Sequence, residues 1–172
     1  ISIEWLNMKS FINSFRKYIN EASPGSYTKN SKITLYHYSS ANDEEITLDP
    51  QHFGESSYSR RERESSTIPR IFFYVDLSQR EPIVATGGNL YAVNVHENML
   101  YDLYTDPEGY KEVIRHPVYG LRKGIELDDL LNKIKEKYSG IFYTSGQIDI
   151  VAWFEPIMVK KISDEERKKL EG

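Results

Sequence analysis

The chain contains no cysteine. That removes disulfide scaffolds and thiolate metal centres together. Histidine is scarce, with four residues at positions 37, 52, 96 and 116 and none at i, i+4 spacing. Such spacing argues against a zinc site, so no metal is expected. No apolar run approaches the roughly 20 residues of a membrane-spanning helix. Residues 1–12 are amphipathic and carry Glu4 and Lys9, which is not the pattern of a secretory leader. A basic excess is missing too: 22 Lys and Arg stand against 26 Asp and Glu, a net charge of −4. That argues against a protein whose main task is gripping a nucleic-acid backbone. Together these absences predict a soluble, cytoplasmic protein with no membrane partner.

What is present is aromatic. The 172 residues include 13 tyrosines and 7 phenylalanines, and 39% are hydrophobic, enough to build a core. The length suggests one domain with a terminal extension. Tyrosine-rich cores leave phenolic tips at a cleft, where bases or sugars stack.

Residues 1–22 form the expected extension. Ile1, Trp5, Met8, Phe11, Ile12, Phe15, Tyr18 and Ile19 recur at steps of three and four, which predicts an amphipathic helix. Pro24 and Gly25 stop it. One reading packs this helix across the domain. The other starts from MKSFINSFRKYINEA, at Met8. That stretch resembles the N-terminal peptides of proteins packaged into tailed-phage heads. Ile19, Asn20 and Glu21 before Ala22 then match a prohead-protease site, and the protein would work in a virion or in host cytoplasm.

Residues 32–162 read as an α+β domain. Alternation predicts strands at 32–39, 70–76, 89–95, 140–144 and 148–154, with shorter extended pieces at 46–48 and 156–162. Helices are expected at 107–116 and 126–138. The second places Leu127, Leu130, Leu131 and Ile134 on one face, with Asp128 and Asp129 in its first turn. Residues 163–172 read as a short charged helix. Ser163 caps it, with Glu166 at capping-box spacing. Residues 51–68 contain SYSRRERESS. They are either a solvated loop or a loop in which Arg60, Arg61 and Arg63 pair with a pyrophosphate.

Three stretches carry chemistry. ITLYHYS, 33–39, puts Ile33, Leu35 and His37 on one face and Thr34, Tyr36 and Tyr38 on the other. RIFFYVD, 70–76, puts Phe72 and Tyr74 on one face and Phe73 opposite. GIFYTSGQIDIVAWFEP, 140–156, is a strand pair with Gln147 and Asp149 at its turn. A histidine ending an apolar face is often a satisfied core residue. Histidine on an early strand, aromatic on a middle one and acid or amide opening a late one is a fuller pattern. That order resembles the ADP-ribosyltransferase superfamily. The match is closest to its histidine–tyrosine–glutamate branch, which includes the poly(ADP-ribose) polymerases and small phage and bacterial relatives. The resemblance covers about three quarters of the chain.

The resemblance implies a split, twisted β core of about six short strands with flanking helices. It also implies that the strand at 32–39 lies close to the strand at 148–154 across one cleft. It implies NAD as substrate, with His37 hydrogen-bonding the adenosine ribose and Tyr36 and Ser39 beside it. Phe72 or Tyr74 would stack the nicotinamide, and Arg60 would meet the pyrophosphate. The family's catalytic glutamate position falls at Asp149 or, two residues earlier, at Gln147; in the toxin-branch pattern Asp149 is the acid and Gln147 contacts the incoming group. This sequence departs from the family at three points. Phe72 replaces the stacking tyrosine, Arg70 the glycine before it, and aspartate the glutamate. Three functions stay open. One is an NAD-consuming, phage-encoded ADP-ribosyltransferase with an unknown protein or nucleic-acid acceptor. Another is a catalytically silent domain of that fold in a virion or binding role. The last is an unrelated α+β protein.

A protein that begins at Ala22 should keep its melting temperature and any NAD binding if residues 1–21 are separable. A steep fall in thermal unfolding would instead show that Trp5, Phe11 and Phe15 fill a core pocket, at about 1.5–3 kcal/mol each.

Overall fold

The computed structural model describes residues 31–53, 66–79, 88–110, 125–145 and 148–172. The expected N-terminal helix, the arginine-bearing loop, most of the expected helix at 107–116 and the turn at Gly146 and Gln147 lie outside them. Among the described residues eight strands are formed: β1 (Lys32–Ser39), β2 (Glu45–Leu48), β3 (Ile71–Tyr74), β4 (Asn89–His96), β5 (Leu100–Asp102), β6 (Gly140–Ser145), β7 (Ile148–Trp153) and β8 (Ile157–Lys161). Two α-helices accompany them among those residues, α1 (Ile125–Lys135) and α2 (Asp164–Glu171). The class is α+β. All eight strands join one mixed sheet in the order β2-β8-β4-β1-β3-β7-β6-β5. Every pairing is antiparallel except β5 with β6.

β1 and β7, expected to lie close across one cleft, are not paired with each other. The short aromatic strand β3 lies between them and pairs with both. The two pairings are unequal. β3 runs alongside β7 from Ile71↔Trp153 to Tyr74↔Ile150, but meets β1 only at Tyr36↔Tyr74. β1 spends its length on β4 instead, from Lys32↔His96 to Ser39↔Asn89. The sheet is thus two well-paired halves joined at one position.

Alternation along each strand sorts side chains onto two faces. One face carries Ile33, Leu35, Phe73, Tyr91, Val95, Phe142, Val151, Trp153 and Val159, buried in a single cluster drawn from both halves. Among the described residues neither helix contributes to it. The opposite face is covered in two patches. Leu130, Leu131 and Ile134 of α1 pack on Tyr101, Ile141 and Ala152. Leu170 of α2 packs with Leu77, Leu90 and Ile162. Because β7 is covered on both sides, all six of its residues are buried, as its near-continuous apolar run requires.

The helices are fixed at their ends. The Ser163 hydroxyl accepts from the Glu166 amide at 3.3 Å, the expected cap of α2. Arg167 of α2 ion-pairs with Glu171 at 3.0 Å and donates to the Gly88 carbonyl at 2.7 Å. Glu171 in turn accepts from the Tyr38 hydroxyl at 2.6 Å, tying the helix to β1. Beyond α1, Glu108 accepts from Lys137 and from the Tyr138 hydroxyl, both at 2.8 Å, and from the Tyr110 hydroxyl. The Lys137, Tyr110 and Tyr138 bonds hold the Glu108 carboxyl down at about 2. They anchor the turn after β5 to the end of α1.

Gly140 opens β6 where three elements converge. A methyl there would lie 2.9 Å from the Ala152 carbonyl oxygen, 2.9 Å from Leu100 and 3.1 Å from Trp153. Gly140→Ala should therefore destabilise by about 1–3 kcal/mol through overpacking. Denaturant unfolding checks this; an unchanged midpoint would show that β5 and β7 do not approach so closely.

Candidate functional site

His37 stands where the two halves of the sheet meet. It follows Tyr36, the last residue of β1 paired with β3, and shares a face with Leu35. Its ring lies 5.6 Å from that of Phe73, tilted by 58°. Nδ1 is 2.8 Å from the Phe72 carbonyl oxygen. A carbonyl only accepts, so Nδ1 carries the proton. Burial pushes the His37 pKa below its ordinary value, and the weaker effect of the Phe72 carbonyl opposes it. The ring is therefore neutral near pH 7, and its Nε2 is a hydrogen-bond acceptor.

Asp149 is the second residue of β7, opposite Thr144 of β6, and is buried. The registers place it relative to His37. Tyr36, Tyr74 and Ile150 are cross-strand partners on the helix-covered face. Their neighbours His37, Phe73 and Asp149 thus point to the other face. The histidine and the acid share that face on strands separated only by β3. Ser39 belongs to it as well, and its hydroxyl accepts from the Ala41 amide at 3.2 Å.

The aromatic candidates lie on the opposite face. Phe72 is already engaged there. The Arg70 guanidinium is 5.4 Å from the centre of its ring and 4.6 Å from that of Phe53. The two rings are 6.0 Å apart. Arg70 is buried and donates to the Ile68 carbonyl at 2.7 Å. Tyr74 faces Tyr36 and meets Tyr38 edge-on at 6.0 Å. The Tyr36 phenol is pushed up by burial first, then by Glu166 and Asp76. Arg60 and Gln147 lie outside the described residues.

The structure therefore brings His37, Ser39 and Asp149 to one face and Tyr36, Phe72 and Tyr74 to the other. Sequence reasoning passed over Phe73, the ring that does lie beside His37. Alternation within RIFFYVD gave its side correctly, and only the Tyr36↔Tyr74 register connects that side to the histidine. Among the described residues no group of three or more His, Asp or Glu is arranged to hold a metal ion. Set against protein-family models, curated proteins and solved structures, the chain matches none.

A neutral, partly buried histidine leaves a signature in stability. Its lowered pKa means that the unfolded chain binds the proton first. Stability should thus be full above about pH 6.5 and decline as pH falls from there to the native pKa. NMR titration should give His37 a pKa below that of an exposed histidine, with the proton on Nδ1. His37→Gln should flatten the stability profile over that window, and an equal slope in both proteins would rule the assignment out.

Proposed function

We propose that the protein binds NAD, cleaves its nicotinamide–ribose bond and transfers ADP-ribose to an acceptor. One observation carries this reading: His37, with its Nε2 an acceptor, shares a sheet face with the buried Asp149 across the intervening strand β3. An imidazole acceptor suits a ribose hydroxyl, which can donate to it. It would hold the adenosine end in ground and transition states alike.

The reaction breaks the C1′–N bond. The bonding pair leaves with nicotinamide, which departs neutral, and positive charge develops on the ribose. A carboxylate at Asp149 stabilises that charge, and its effect is greatest in a site shielded from water. The acceptor, or water, then bonds to C1′ and loses its proton to solvent. Gln147 is assigned to contact with the incoming group. Aspartate is one methylene shorter than glutamate, so the backbone of β7 must bring it closer to the sugar.

A second reading keeps NAD binding without cleavage. It is favoured by Phe72 and Tyr74, which project away from the His37 face, and by the Arg70 and Phe53 groups packed on Phe72. A stacking ring for nicotinamide would then come from neither candidate.

Isotope-labelled NAD separates the readings. His37→Ala should weaken binding by about tenfold, roughly 1.4 kcal/mol, in calorimetry. Asp149→Asn should leave binding nearly intact and slow nicotinamide release by a hundredfold or more, about 2.7 kcal/mol. Gln147→Ala should spare hydrolysis and reduce transfer. Binding without release selects the silent domain, and absence of both rejects the NAD assignment.

A further inference from the structure

The outermost strand of the β8 side has properties that the NAD reading does not use. β2 pairs on its inner side with β8, from Glu45↔Lys160 to Leu48↔Ile157. Among the described residues nothing pairs with its outer side. The backbone groups on an outer edge point along the sheet plane and form a template for one more strand. Natural edges are blunted by shortness, by charged side chains, lysine above all, by proline or by bulges. The four-residue stretch EITL carries one charge, Glu45, but no lysine or proline, and its register with β8 is unbroken.

The side chains define what fits. Ile46 and Leu48 are half-buried at the rim of the main cluster, beside Val159 and Ile157. An added strand with apolar residues on that side would complete their burial. On the other face Glu45 and Thr47 are exposed next to Met158 and Lys160. Neither helix reaches this patch: their packing partners lie on other strands and loops. Met158 keeps 58% of its surface exposed, and it is the large hydrophobic residue left open among the described ones.

Charge selects the partner. The stretch 42–49, NDEEITLD, carries Asp43, Glu44, Glu45 and Asp49 with no basic residue. Lys160 bridges Glu45 at 3.0 Å, but both side chains stay largely in solvent, where such a pair is worth little. A second copy of β2 would set these acids beside one another, and like charges across a strand pair repel. We propose that β2 is a docking edge for an extended basic segment of a partner protein, added to the sheet as a further strand. Its apolar residues would alternate with Lys or Arg. The apolar side would lie over Ile46 and Leu48, and the basic side against Glu45 and its acidic flank.

The probe is a fluorescein-labelled hexapeptide, Lys-Val-Lys-Val-Lys-Val, titrated into the full chain and followed by anisotropy. Two N-methylated versions block alternate backbone N–H groups, one set at each peptide edge. The plain peptide should bind, and one methylated version should lose at least about tenfold in affinity while the other keeps it. Glu45→Lys, at an exposed position, should cost about tenfold or more, and a Glu-Val peptide should not bind. Equal binding of the plain peptide and both methylated versions would overturn the proposal, because charge alone would then explain it. So would absence of binding. A dimer in light scattering that Glu45→Lys dissociates would also overturn it and assign the edge to a second copy. None of these outcomes depends on NAD.

Discussion

The junction between β1 and β3 governs the rest of the molecule. Backbone pairing there is confined to Tyr36↔Tyr74, while β1 is fully paired to β4 and β3 to β7. The halves are therefore coupled through side chains. The bond from the His37 ring to the Phe72 carbonyl crosses the gap immediately beside that pair. Tyr38 adds its edge contact with Tyr74, and α2 fastens Tyr38 from the outside. A single hydrogen bond contributes about 0.5–1.5 kcal/mol net. That is modest for a fold but large for a joint with one ladder position. His37 is thus a structural tie as well as a candidate ligand group, and its two ring nitrogens divide the roles. Nδ1 holds the joint, and Nε2 is the atom with chemistry to offer.

The same joint fixes which residues share a surface. Side chains alternate with a period of two, so two register pairs sharing Tyr74 assign every residue of three strands to a face. Through Tyr36, Tyr74 and Ile150 they assign His37 and Asp149 to one side and Phe72 to the other. Phe72 then enters a different structure, in which Arg70 lies against two aromatic rings. A flat guanidinium suits such a position because it is weakly hydrated and stacks well. The arginine that departs from the family pattern consequently occupies the ring proposed to stack nicotinamide.

Local order was legible in the residues. The alternation of ITLYHYS gave β1 with its observed ends, and NLYAVNV gave β4 to within a residue. The Ser163 cap and the apolar stripe of α1 followed from spacing alone. Longer-range facts were not legible. Nothing in RIFFYVD says that it will lie between the histidine strand and the acid strand, because strand order is decided by contacts distant in sequence. The short stretch LYDLY yielded β5 as a parallel edge strand, held by Leu100↔Gly140 to Asp102↔Phe142. A parallel partner needs a long crossover, and only the finished fold supplies it. The site divides in the same way. The faces of His37 and Asp149 within their own strands were readable, and their common side was not.

In the proposed reaction Asp149 is the acid, and its setting is apolar. Among the described residues β7 is the one strand buried at every position, and the other five residues in it are apolar or aromatic. A carboxylate placed there is withdrawn from water, at an effective cost of several kcal/mol unless neighbouring groups compensate. Partners that steady the acid remove part of the cost, but they do not explain why a polar group is there to be steadied. In the proposed reaction, the shielding that makes a charge there expensive also makes it effective. For the proposed reaction Asp149→Asn is the informative substitution: the shape is kept, the carboxyl is replaced by an amide, and turnover should fall.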